Sequence, residues 1–123
     1  METRPLVSVV DDDESVREAL PDLLREFGFT VEAFASAEEF LASSRIAETR
    51  CLILDVAMPG MSGPDLCREL AQRRQRIPTV FITAYSDPST RPRLIEHGAV
   101  ACLLKPFSDT ALRDAVDAAL ATR

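Results

Sequence analysis

The chain has 123 residues, 14 basic against 20 acidic side chains, a net charge of −6 and a pI near 4.8, a size that fits one domain, residues 1–123. Its apolar stretches, around Leu6 to Val10 and Cys51 to Leu54, fall far short of the roughly 20 residues of a bilayer span, and the opening Met-Glu-Thr-Arg-Pro lacks a signal-peptide core. With an acidic pI, no Trp and no basic cluster beyond Arg73, Arg74 and Arg76, the segment also lacks the concentrated positive face that direct nucleic-acid binding requires.

Short apolar runs alternate with segments whose apolar residues recur at helical spacing, five times over. Leu6 to Val10 reads as a strand. Ser15-Val16-Arg17-Glu18 reads as a capping box opening a helix that faces inward through Val16, Leu20, Leu23, Leu24 and Phe27. Pro21 should kink that helix, and Gly28 stands where a C-cap is wanted. Thr30 to Phe34 alternates like a strand, and Ser36-Ala37-Glu38-Glu39 is a second capping box leading into Phe40 and Leu41. Cys51 to Asp55 is a buried strand ending in a charge. Gly60, Gly63 and Pro64 punctuate a loop, with Pro64 in the first turn of a helix carrying Leu66, Cys67, Leu70 and Ala71. Pro78 to Thr83 is the fourth strand. A stretch interrupted by Pro88 and Pro92 leads to a short helix around Leu94 and Ile95, ending before Gly98. Val100 to Leu104 is the fifth strand, and Ser108 caps a last helix with Leu112, Val116 and Leu120 inward.

Continuous apolar strands separated by helices imply a parallel sheet covered on both faces, a doubly wound α/β domain. Ligands of such sheets sit beyond the carboxyl ends of the strands, where strand order reverses. Asp11, Asp12 and Asp13 follow the first strand, Asp55 ends the third, Thr83 ends the fourth and Lys105 follows the fifth. A single polar residue there would only mark where an apolar strand stops; the conjunction points to a site. Three carboxylates at one rim repel one another, so one of them resists ionisation unless a cation is present. Oxygen ligands with no convergent His or Cys point to Mg²⁺. Lys105, the only lysine beside thirteen surface arginines, suits a phosphoryl oxygen, and Thr83 offers a hydroxyl. Neither G-x-G-x-x-G nor G-x-x-x-x-G-K occurs, so nucleotide binding is unsupported and the chemistry left is phosphoryl transfer onto a carboxylate.

Val-Val-Asp-Asp-Asp-Glu, Leu-Asp-Val-Ala-Met-Pro-Gly-Met-Ser-Gly, Phe-Ile-Thr-Ala and Leu-Leu-Lys-Pro-Phe, in this order and spacing, closely resemble the receiver domain of two-component response regulators, most of all the FixJ branch. The resemblance spans about residues 6 to 121. It implies a flavodoxin-like (βα)5 fold with sheet order 2-1-3-4-5. It implies Asp55 as phosphoacceptor from a sensor histidine kinase. Mg²⁺ would then be held by Asp12, Asp55 and the backbone carbonyl of Ala57, with Asp11 acting through water, while Lys105 and Thr83 contact the phosphoryl group. It further implies a cis Lys105-Pro106 bond and a cytoplasmic switch rather than a turnover enzyme. A DNA-binding helix-turn-helix domain would follow the receiver in a longer transcription regulator, with homodimerisation through the face of the helix near Leu94, the fifth strand and the last helix. Asp13 carries no assigned role.

Several positions depart from the family pattern. Cys102 stands where an aromatic residue usually couples to the threonine, and Pro92 falls where the family continues a helix, so activation is expected to reorder the loop Tyr85 to Arg91. Ala57 and Tyr85 flank the approach of an attacking water. His97, beside Gly98, reads as a helix-end dipole partner. Met58 and Met61 read as loop packing, and Phe107 as an anchor for the last helix. The scattered Cys51, Cys67 and Cys102 read as core thiols in a reducing compartment. A haloacid-dehalogenase-type phosphatase would need an Asp at position 57, where Ala57 stands. A receiver-like interaction module that is never phosphorylated is the alternative; Asp12, Asp55, Thr83 and Lys105 together argue against it, while Cys102 leaves it open.

Overall fold

The computed structural model describes residues 4–84 and 99–121. Five parallel strands, β1 (Leu6–Val10), β2 (Thr30–Phe34), β3 (Thr49–Asp55), β4 (Thr79–Thr83) and β5 (Ala99–Leu104), form one sheet in the order β2-β1-β3-β4-β5. The described helices are α1 (Glu14–Glu26), α2 (Ala37–Leu41), α3 (Gly63–Gln72) and α4 (Asp109–Ala121), with a 3-10 turn over Ile46–Glu48. The helix expected near Leu94 and Ile95, the Tyr85 to Arg91 loop, Pro92, His97 and Gly98 lie outside the described residues.

Strand side chains alternate between faces, and both faces are covered, which explains why the strands read as continuous apolar runs. Val7, Val9, Cys51, Ile53, Val80 and Ile82 pack with Leu20 and Leu24 of α1 and with Leu112, Val116 and Ala119 of α4. Val10, Leu52, Leu54 and Phe81 pack with Phe40 of α2 and with Leu66 and Leu70 of α3. Ser8 interrupts the apolar run of β1 with a fully buried hydroxyl. Thr49 gives its one hydroxyl proton to the Arg45 carbonyl at 2.8 Å, so Ser8 must donate to Thr49 Oγ1 across 2.7 Å, and among the described residues no buried side-chain nitrogen or oxygen lacks a partner.

Element ends differ from the sequence reading in instructive ways. The Ser15 capping box does not form: Asp13, in extended conformation, is the N-cap and accepts from Ser15 N at 2.9 Å, so Ser15 already lies inside α1. Ser36 caps α2 through Glu39 N at 3.0 Å, but the Glu39 carboxylate accepts from Ala35 N, so that box is only half made. A complete box forms instead at α3, between Ser62 and Asp65, with Pro64 inside it in the first turn. Strand β3 starts at Thr49, because Thr49 pairs with Leu6. Strand β4 starts at Thr79 and β5 at Ala99, a pair in register. Gly28, at φ 99°, ends α1 as expected, and Ser108 caps α4 through Ala111 N.

Candidate functional site

Parallel strands place all carboxyl ends on one edge, and the order β2-β1-β3 puts the reversal of winding between β1 and β3. Asp11, one residue past β1, and Asp55, the last residue of β3, therefore face each other across that seam. Carboxylate oxygens of Asp11, Asp12 and Asp55 all lie within 4.8 Å of one another. Asp11 is fully buried and Asp55 nearly so, whereas Asp12 is exposed, which leaves the cluster open to solvent on one side.

Lys105 reaches this cluster from beyond β5. Its Nζ donates to Asp11 Oδ2 at 3.0 Å and stands 4.0 Å from Asp55 Oδ1. Lys105 N also donates to the Thr83 carbonyl at 2.8 Å, which ties the end of β4 to the lysine, and the Lys105-Pro106 peptide is cis. Thr83 is buried at the end of β4. Ala57 is exposed on the loop after β3.

The turn after β1 is held from several sides. Asp13 N donates to Asp11 Oδ1 at 2.9 Å, Asp11 N donates to the Phe34 carbonyl, and Arg17 Nη1 donates to the Asp11 carbonyl at 3.0 Å. Arg17 is thus a brace of the site, not one of the solubilising arginines that the sequence suggested. Asp13, left without a role, both caps α1 and closes this turn. Run-of-charge patterns carry no signal for either job; only the extended backbone of Asp13 and the helical offset of Arg17 create it.

Burial raises the Asp55 carboxyl to about 7, reinforced by the Asp11 charge and by a hydrogen bond and charge from Asp12, with Lys105 pulling the other way. Burial also disfavours the Lys105 ammonium, but the Asp11 hydrogen bond and the charges of Asp55, Asp11 and Asp13 outweigh it and hold that ammonium above its ordinary range. An Asp55 carboxyl raised to about 7 beside two further carboxylates marks a place where a hard cation would be welcome. The all-oxygen donor set and the open side at Asp12 fit Mg²⁺, which keeps several of its waters.

The loop from β3 to α3 is shaped by close approach. Gly63 N donates to the Val56 carbonyl at 3.0 Å, and a Cβ on Gly63 would meet the Asp55 carbonyl oxygen at 2.5 Å. Met58 is buried in this loop and Met61 packs partly on the same core, as loop packing requires. Cys102 is half-buried in β5 beside Phe81, and Phe107 anchors on the α1/α4 face. None of the three cysteines is disulfide-bonded, and burial pushes the Cys51 thiol up to about 12 and the Cys67 thiol to about 11. Tyr85 lies outside the described residues. Among those residues no helix is long and apolar enough to cross a membrane.

Residues 7–117 match the family model of the response regulator receiver domain. The chain is 47% identical over 117 residues to Nodulation protein W of Bradyrhizobium diazoefficiens, covering 95% of this chain and 52% of that protein. It is 38% identical over 113 residues to the Transcriptional regulatory protein FixJ of Rhizobium meliloti, covering 92% of this chain and 55% of that one. The crystal structure of FixJ-N superposes with a TM-score of 0.87 at 36% identity, over 100% of this chain and 98% of its own. The chain therefore spans about half the length of the curated relatives it matches. Its fold, its strand-end carboxylates and these matches agree: the chain belongs to the response regulator receiver domain family, whose function is phosphorylation-based switching.

Proposed function

We propose that Asp55 is the phosphoacceptor of this receiver domain, taking a phosphoryl group from the phosphohistidine of a sensor histidine kinase. The observation that carries the reading is the convergence of Asp11, Asp12, Asp55 and Lys105 at the β1/β3 seam. An Asp55 carboxylate oxygen attacks phosphorus in line as the P–N bond to the donor imidazole breaks, which leaves an acyl phosphate on Asp55. Attack requires the ionised carboxylate, and the ammonium 4.0 Å away favours that form. Asp12, Asp55 and the Ala57 carbonyl would hold Mg²⁺, with Asp11 acting through water; when bound, the ion neutralises charge developing on the phosphoryl oxygens. Lys105 exchanges its Asp11 partner for a phosphoryl oxygen, and Thr83 donates its hydroxyl to another. The domain accepts one phosphoryl group and loses it slowly, a switch and not a turnover enzyme.

The regulators that match at 38–47% identity are about twice as long, and one is described as a transcriptional regulatory protein. That supports residues 1–123 as the N-terminal receiver of a longer cytoplasmic regulator, in which phosphorylation promotes homodimerisation and controls a DNA-binding domain outside this chain. The test is intact mass after incubation with acetyl phosphate and Mg²⁺, for the parent and for Asp55→Ala. One phosphoryl adduct that needs Mg²⁺ and disappears in the variant is expected. Absence of any adduct despite Mg²⁺ binding would overturn the reading in favour of an interaction module that is not regulated by phosphorylation.

A further inference from the structure

We propose that Glu38 is a positioning residue that latches the loop after the phosphoacceptor strand and so sets the geometry in which Asp55 and Ala57 meet a metal ion. The proposal rests on the phosphoacceptor reading above and deepens it.

The base of the latch is rigid. Helix α2 is short, but Ala37 and Phe40 on either side of Glu38 are fully buried, Ser36 caps the helix, and Phe40 meets Phe34 of β2 edge-on with ring centroids 5.2 Å apart. Glu38 itself is exposed and takes no part in that core. Its carboxylate reaches across to the β3–α3 loop, where Oε2 accepts from Met61 N at 3.3 Å.

The loop is built to receive it. Gly60 has φ 76°, a conformation that favours glycine, and a Cβ there would stand 2.8 Å from Glu38 Oε2, so the carboxylate occupies the space that a side chain would fill. The other end of the loop is closed by Gly63 N on the Val56 carbonyl and by the Ser62–Asp65 box. Ala57 lies between these two fastenings. With the base fixed through Val56 and the tip fixed through Glu38, the Ala57 carbonyl loses freedom that it would otherwise have to surrender on binding an ion.

Three measurements separate this role from a general structural one. In Glu38→Ala, hydrogen exchange at the Gly60 and Met61 amides should quicken and Mg²⁺ affinity, titrated with MgCl₂ alone, should fall by roughly three- to tenfold, because backbone freedom on the order of one residue's must then be given up on binding. The thermal midpoint should fall by only a few degrees, about 2–6 °C, because one exposed hydrogen bond and no core contact is removed. Glu38→Gln keeps an oxygen that can accept from Met61 N and should stay within about twofold of the parent. Unchanged exchange and Mg²⁺ affinity in Glu38→Ala would overturn the proposal. So would a Glu38→Gln variant as weak as Glu38→Ala, since charge and not position would then be responsible. Acetyl phosphate labelling of the parent judges the phosphoacceptor reading separately: its failure would leave the exchange and Mg²⁺ results to decide on the latch.

Discussion

Lys105 Nζ bonds to the buried Asp11 carboxylate at 3.0 Å while remaining 4.0 Å from Asp55. The only lysine of the chain is thus parked on the neighbour of the proposed nucleophile. It neutralises one of three clustered carboxylates and is close enough to transfer to a phosphoryl group without a large movement.

Removing that charge should affect the two steps in opposite directions. Lys105→Gln takes a cation away from the carboxylate cluster, so Mg²⁺ should bind at least as tightly as in the parent. The rate of Asp55 labelling by acetyl phosphate should nevertheless fall by roughly a hundredfold, as when a preorganised charge donor is lost. Equal labelling rates with Mg²⁺ saturating in both proteins would refute a role for Lys105 in phosphoryl transfer.

Asp55 makes stability depend on pH in the metal-free protein. In the folded chain its carboxyl holds a proton up to about pH 7, against an ordinary value of 3.8, so between those limits the folded state binds more protons than the unfolded one. The contribution of this group is therefore most favourable at the acid end, declines as pH rises from about 4 to about 7, and is level above that. Urea unfolding in EDTA should show this decline, and Asp55→Asn should flatten it. Because Mg²⁺ must displace the same proton, its affinity should climb through the same window and level off above about pH 7. A Mg²⁺ affinity independent of pH from 5 to 8 would contradict a raised Asp55 carboxyl.

Asp13 is distinguishable from its two neighbours by its work at the start of α1. As the N-cap it bonds Ser15 N, and Asp13→Ala should cost about 1 kcal/mol of stability by denaturant unfolding. Mg²⁺ affinity should fall less than in Asp12→Ala, whose carboxylate belongs to the cluster. The reverse ranking would move Asp13 into the metal site and Asp12 out of it.

Much of this was legible in the sequence because parallel α/β sheets write their topology plainly. Buried strands such as Leu6–Val10 are almost wholly apolar, and Asp11, Asp55, Thr83 and Lys105 stand at or just past strand ends, where the winding rule places ligands. What the sequence hid depends on backbone conformation. Asp13 and Ser15 are both good caps, and only the extended φ and ψ at Asp13 decide between them. Arg17 looks like any surface arginine until one turn of helix brings its guanidinium to the Asp11 carbonyl. Glu38 and Met61 are 23 residues apart, and nothing in local spacing joins them.

Gly63 offers the sharpest test of how tightly the loop after β3 is packed. Its φ is not in the left-handed region; the demand is for space. A Cβ would lie 2.5 Å from the Asp55 carbonyl oxygen, 3.0 Å from the Phe81 ring and 3.2 Å from Val56 Cα. Two of these three neighbours are backbone, so neither can rotate aside, and relief must come from moving the start of α3 away from β3. Gly63→Ala should therefore destabilise the protein by about 1–3 kcal/mol, as overpacking does, even though alanine is the better helix former. The displacement also loosens the Gly63 N to Val56 carbonyl bond, which should quicken exchange at Gly63 N and weaken Mg²⁺ binding along with stability. A Gly63→Ala protein as stable as the parent would mean that α3 can retreat without cost, and that the backbone of Asp55 is not fixed by the helix that follows it.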